Sequence, residues 1–315
     1  MGFSQRHSDE RGPVTGIIID GRRGALFSTG FGAGNVRPPC GKVINLAGIN
    51  LEMTEQPKQE FRGTIEGANS SARWSPDAAA LAAISFTFDD GHLSTYTHAF
   101  PLLRKAGLVG HIAAVTDVVG KPGRYSWEQI HEMAAAGWEI ESHTRSHDLS
   151  DVRLENLQCE AVESKRMLEA HGLTVNIFNF PGGPWQDDPV FLPGGPFDKM
   201  VRRHYAGYLP IHNRMPHPMR PPIDPYRLSW QTGECGMADQ YAAPFDAIRA
   251  GIDQAIAEGG WYNSLWHDVT TNNEKHWPKF RQVVDYAAAQ VRAGRLRCVT
   301  TSDYLGLPCQ GSGKM

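Results

Sequence analysis

The chain has 315 residues, of which 41% are hydrophobic and 21% charged, and its formal net charge is -3. That leaves ample apolar surface for a folded core, so general disorder is excluded. No apolar run approaches the roughly 20 residues of a membrane-spanning helix, and the small net charge gives no general pull toward nucleic acid or anionic lipid.

The length fits one large domain or two small ones. The five cysteines, at 40, 159, 235, 298 and 309, have no Cys-x-x-Cys spacing. This argues against a zinc finger or a disulfide scaffold, while leaving room for one disulfide. The opening segment, Met-Gly-Phe-Ser-Gln-Arg-His, lacks the apolar core of a signal peptide. As it stands the chain is expected to be cytoplasmic, unless it has been trimmed.

Residues 1–78 are glycine-rich. Val14–Ile19 and Ala25–Ser28 flank an Asp20-Gly21 turn, and Val43–Leu46, Ile49–Met53 and Glu60–Ile65 have strand composition. We read them as a β-rich or partly ordered N-terminal extension. Residues 79–315 form the second region, where strands and helices alternate. Ile84–Phe88 is predicted as a strand and Thr95–Ala106 as a helix stopped by Gly107. Gly110–Val115, Trp127–Ala136, Trp138–Ser142, Leu154–Ala170 and Val175–Phe180 then alternate as strand and helix. After two segments crowded with proline and glycine, 181–197 and 210–225, come helix Phe245–Glu258, strand Trp261–Trp266, helix Lys279–Ala293 and strand Leu296–Thr300. The proline-rich segments are predicted to hold no helix. Repeated β-then-α units imply parallel strands covered by helices, an α/β sheet or barrel with functional residues at the C-terminal strand ends.

Three groups of polar residues fall at such ends. Phe86-Thr87-Phe88-Asp89-Asp90-Gly91 puts two carboxylates where a strand stops. A bend at the glycine would bring both to one cleft, one to bind a metal and one to act as a base. Ser142-His143-Thr144-Arg145-Ser146-His147 spaces two histidines four apart, which in a helical turn places both imidazoles on one face. Two imidazoles and one carboxylate make a three-ligand set with an open position, the pattern of catalytic rather than structural zinc. Asn263-Ser264-Leu265-Trp266-His267-Asp268 adds a histidine to the same rim. Singly, each of these has a plain alternative: a turn, a coincidence of spacing, a satisfied rim histidine.

In this order and spacing, Thr-Phe-Asp-Asp-Gly, Ser-His-Thr-Arg-Ser-His and Leu-Trp-His-Asp resemble the polysaccharide deacetylase family, carbohydrate esterase family four, over roughly residues 80–307. The resemblance implies a distorted (β/α) barrel that holds one divalent metal, zinc or cobalt. The implied activity is removal of acetyl groups from an N-acetylated or O-acetylated glycan. By position, Asp90, His143 and His147 would be the metal ligands, Asp89 the base and His267 the acid. Pro181 and Gly182 would border the oxyanion, with Trp185 or Leu265 lining an acetyl pocket. The implied partner is an acetylated glycan, with no nucleic acid and no membrane span. Oligomeric state is not legible.

Two departures stand out. The family's third motif has an arginine that helps hold the catalytic aspartate, whereas this chain reads Asn179-Phe180-Pro181-Gly182-Gly183. The fourth motif carries an aspartate that tunes the acid histidine, whereas the nearest segment here is Arg227-Leu228-Ser229-Trp230. Asp224 or Asp187 is the expected substitute. The departures leave two alternatives: hydrolysis of a small cyclic amide or ureide on the same fold, or a non-catalytic carbohydrate-binding relative.

Overall fold

The computed structural model describes residues 82–183, 187–210, 217–232, 243–270 and 276–309. The expected N-terminal extension and Trp185 lie outside the described residues.

Eight parallel strands make one sheet: β1 (Ala82–Phe88), β2 (His111–Ala114), β3 (Glu139–Ser142), β4 (Ile177–Asn179), β5 (Gly207–Leu209), β6 (Gln231–Thr232), β7 (Trp261–Trp266) and β8 (Leu296–Cys298). Their order is β5-β4-β3-β2-β1-β7-β6. β8 pairs with the first half of β1, and β2 with its last two residues. Among the described residues β5 and β6 do not pair with each other. The result is a distorted (β/α) barrel left open on one side, as the sequence predicts.

The helices are α1 (Phe100–Ala106), α2 (Trp127–Ala135), α3 (Leu154–Gln158), α4 (Ser164–Ala170), α5 (Pro196–His204), α6 (Phe245–Glu258), α7 (His276–Arg292) and α8 (Thr301–Leu305). Local chemistry explains their ends. Ser126 and Gln129 form a reciprocal capping box at the start of α2. Gly107 and Gly259 close α1 and α6 in the left-handed region that glycine reaches without cost. π-helical turns, Thr95–Ala99 and Cys159–Glu163, lead into α1 and join α3 to α4, so both predicted long helices run unbroken.

One expectation needs correction. The segment 181–197 does carry the start of a helix, because Pro196 sits at the first position of α5, where its missing N–H is not needed. α5, β5, β6 and α8 were not anticipated. They are short, and their neighbours in sequence are turn-rich.

The alternation of side chains along each strand positions the site. Phe86 and Phe88 of β1 face the helices, where Phe88 stacks on Trp138 with ring centroids 5.5 Å apart and meets Phe280 of α7 edge-on at 5.8 Å. Ser85 and Thr87 face the barrel interior instead, bonding to Val299 O and to Asn263 Oδ1. The same period of two sends Ile140, Phe178, Tyr262 and Trp266 into the outer core, while Ile177 and Trp261 join a small inner cluster with Ala83, Leu209 and Met219. Continued one step past the strands, the inward set becomes Asp89, His143 and His267. No helix among the described residues is long and apolar enough to cross a membrane.

Candidate active site

Asp89 follows β1 directly, its N–H bonded to Trp266 O of β7 at 2.9 Å. Asp90, the next residue, would face the other way on an extended chain. Its φ of 70° and that of Gly91, 79°, swing it back toward the same cleft. The bend therefore begins one residue earlier than the glycine. Arg124 holds it, donating from Nη1 to the Asp90 carbonyl at 2.6 Å.

The histidine pair also differs from expectation. His143 and His147 lie on an irregular loop after β3, not on a helical turn. Thr144 and His147 both adopt positive φ, 69° and 65°. For a β-branched residue such as Thr144 this is an unusual backbone state, of order 1–3 kcal/mol in strain. The loop is tied down accordingly. Thr144 Oγ1 accepts the His147 N–H at 2.9 Å. Glu160 takes the N–H groups of Arg145 and Ser146 at 3.0 and 2.8 Å, and Asp117 pairs with Arg145 at 3.0 Å.

The result is convergence. Asp90 Oδ1 lies 3.5 Å from His143 Nε2 and 3.1 Å from His147 Nε2, and the three donor atoms all lie within 4.8 Å of one another. His267 Nε2 is 3.9 Å from Asp90 Oδ2, and Asp89 Oδ2 is 3.9 Å from His143 Nε2. Asp90 Oδ1 is buried without a hydrogen-bond donor. The Nδ1–H of His143 is given to Asn179 O at 2.8 Å, which leaves its Nε2 as the free acceptor in the cluster. Two ligand atoms about 2.1 Å from a tetrahedral ion lie roughly 3.4 Å apart. The observed spacings, the orphan carboxylate oxygen and the donor chemistry fit a divalent cation.

The electrostatics separate the two aspartates. Burial pushes Asp89 up to about 6, against the pull of the His143 and His267 imidazoles. Burial would raise Asp90 as well, but the imidazoles of His143, His147 and His92 that face it hold it far below the usual carboxylate range. For His143, burial favours the neutral ring, yet the carboxylates of Asp89 and Asp90 prevail and raise it.

Pro181 and Gly182 follow β4 at the same end of the barrel, Pro181 buried and Gly182 half-buried. Leu265 is buried two residues before His267. Asp224 does not serve as the substitute tuning carboxylate. It caps its own turn, accepting the Tyr226 N–H at 2.9 Å. Among the described residues, Asp90, with Oδ2 3.9 Å from the His267 Nε2, and Asp89 are carboxylates near His267.

The position of the absent arginine is filled by Asn179, whose Nδ2 donates to Asp89 Oδ1 at 2.9 Å and reaches Glu141 Oε2 at 3.4 Å. Behind it lies a buried group that sequence reasoning missed. His111 Nδ1 and Glu141 Oε1 are 3.0 Å apart. Thr301 Oγ1 donates to Glu141 Oε1 at 3.2 Å, and Glu139 takes both the N–H, at 2.9 Å, and the hydroxyl of Ser302. His111, Glu139 and Glu141 also lie close enough to share an ion. Their carboxylate oxygens, however, already accept protein hydrogen bonds, so they read as a hydrogen-bonded network. The signal was available: in Glu139-Ile140-Glu141-Ser142-His143 the titratable residues fall at every second position, on the face that ends in His143.

A family model described as polysaccharide deacetylase matches residues 80–191. The chain is 32% identical over 110 residues to the Putative polysaccharide deacetylase YxkH of Bacillus subtilis (strain 168), covering 34% of this chain and 39% of that protein. The match thus spans about two fifths of the relative's length. Among solved structures, the Streptococcus pyogenes deacetylase PplD in complex with acetate is 22% identical with a TM-score of 0.35, covering 39% of this chain and 54% of that one. A family 4 carbohydrate esterase from Streptomyces lividans in complex with acetate is 16% identical with a TM-score of 0.46, covering 70% and 92%.

Proposed function

Residues 80–191 belong to the polysaccharide deacetylase family, and on that premise we propose that the chain is a metal-dependent hydrolase that removes acetyl groups from an acetylated glycan, N-acetylated by preference. The observation that carries this reading is the meeting of Asp90 Oδ1 with the Nε2 atoms of His143 and His147 at 3.5 and 3.1 Å, with Asp89 and His267 alongside.

Asp90, His143 and His147 would hold one divalent ion, zinc in the first instance. Such an ion, when bound, lowers the pKa of water to about 7 and polarises a carbonyl. Asp89 takes the proton of the attacking water. It is buried and held by Asn179 at 2.9 Å, so its free lone pairs have a fixed direction and need no reorganisation. His267 gives a proton to the leaving amine, which would otherwise depart as a poor leaving group. The Gly182 N–H, beyond the end of β4, would donate to the carbonyl oxygen as it gains charge. Leu265 supplies apolar surface for the acetyl methyl.

The test is acetate release from an N-acetylated oligosaccharide by the zinc-loaded protein. Release of acetate with an equal amount of free amine supports the reading. Ring opening of a cyclic imide without acetate release from any glycan would assign the site to small amides instead.

A further inference from the structure

We propose that Glu141, paired with His111, is a positioning residue that locks the Asn179 side chain so that its amide holds Asp89. The inference rests on the reading of Asp89 as the base and adds residues that lie below it.

The argument starts from the amide. An asparagine side chain offers a donor NH2 and an acceptor oxygen of nearly the same shape. Asp89 alone would fix one bond but not exclude a rotated amide that finds other partners. With carboxylates on both sides, at 2.9 Å and 3.4 Å, only the NH2 fits between them, because the amide oxygen would face like charge twice. Its two hydrogens serve the two carboxylates. Glu141 is therefore what makes the orientation unique.

A carboxylate that is 2% exposed must itself be compensated. His111 does this from β2 at 3.0 Å and Thr301 from α8 at 3.2 Å. Thr87 Oγ1 sits 3.3 Å from the same imidazole nitrogen and donates to Asn263 of β7 at 2.7 Å. The network thus ties together the strands that carry Asp89, His143, Asn179 and His267. His111 and Glu141 are buried, and the Asn179 amide links them to the base.

Replacing Glu141 by glutamine keeps the shape and changes one feature. The glutamine has two orientations. With its NH2 toward Asn179 it turns that amide so that the Asn179 oxygen faces Asp89. With its oxygen toward Asn179 it sets its NH2 against the Nδ1–H of His111, so neither keeps the parent's bonds. The experiment measures kcat, KM and bound zinc for the parent, E141Q, N179A and the double variant, on an N-acetylated oligosaccharide. E141Q and N179A should each lower kcat by about tenfold to a hundredfold, the scale of a misplaced catalytic group, with KM and zinc content unchanged. The double variant should be no worse than N179A alone, since Glu141 acts through Asn179. Parent-like kcat in E141Q, or losses that multiply in the double variant, overturns the proposal.

If E141Q does not fold, the paired change H111L/E141L removes the buried ion pair as a unit, which proteins often accept with little loss of stability. Its kcat should match that of N179A, and parent-like kcat overturns the proposal. An Asp89→Asn variant in the same series separates the two levels. If it keeps turnover, the reading of the base fails. If it is inactive while Glu141 behaves independently of Asn179, only this inference fails.

Discussion

The main-chain oxygen of Asn179 accepts the Nδ1–H of His143 at 2.8 Å. One backbone atom at the end of β4 thereby sets the tautomer of an imidazole at the end of β3, and Nε2 turns to Asp90 with its lone pair free. The same residue donates from its side chain to Asp89, so a single asparagine orients both a candidate ligand and the candidate base.

From this arrangement, His143→Ala and His147→Ala should each lower bound divalent metal well below the parent level. Elemental analysis of purified, folded protein checks it. Metal content that is unchanged in both variants contradicts the ligand assignment.

Asp89→Asn should keep the metal and lose activity by about 10²–10⁴-fold, the usual contribution of a general base. The amide keeps the size of the carboxylate and one acceptor oxygen for the Asn179 NH2. Turnover retained with metal lost would exchange the roles of Asp89 and Asp90.

Much of this is legible in the sequence. The strand ends that carry Asp89, His143 and His267 follow from the alternation of strand and helix along the chain, and α6 and β7 match their predicted bounds, Phe245–Glu258 and Trp261–Trp266. What escaped was set by tertiary contacts. The His143–His147 spacing of four suggests a helical face, but left-handed Thr144 and His147, fastened by Glu160 from the turn after α3, produce the convergence instead. No local rule announces a hydrogen bond across 15 residues. The pairing of His111 with Glu141 depends on β2 and β3 being neighbours, and the role of Asn179 on β4 lying beside them.

Glu139 gives a stability prediction. Burial first, and then the charge of Glu141, raise its carboxyl from 4.5 to about 7. A raised folded-state value means that the neutral form is favoured in the fold. The associated stability is fully present below about pH 4.5 and is lost as pH rises through about 7. Glu139→Gln stays neutral and can still serve the N–H and hydroxyl of Ser302. Its melting temperature should fall less than the parent's between pH 4.5 and 8, a difference worth up to about 3 kcal/mol. Parallel melting curves across that range contradict the prediction.

His267→Ala should affect substrates unequally. An amine leaving group needs a proton as it departs, whereas an aryl oxide of low pKa does not. Hydrolysis of an N-acetyl sugar should fall by about 10²–10⁴-fold and that of an aryl acetate only weakly. Equal losses on both substrates, with metal content intact, would mean that His267 works through oxyanion stabilisation or structure.

The account as a whole stands on the hydrolysis of an acetylated glycan at the Asp90, His143 and His147 site. The most direct measurement is acetate and free amine released from an N-acetylated oligosaccharide by the full chain, after chelation and again after zinc is restored. The account predicts equal amounts of acetate and amine, abolished by chelation and recovered with zinc. Folded, zinc-loaded protein that releases neither from N-acetylated nor from O-acetylated glycans would contradict it.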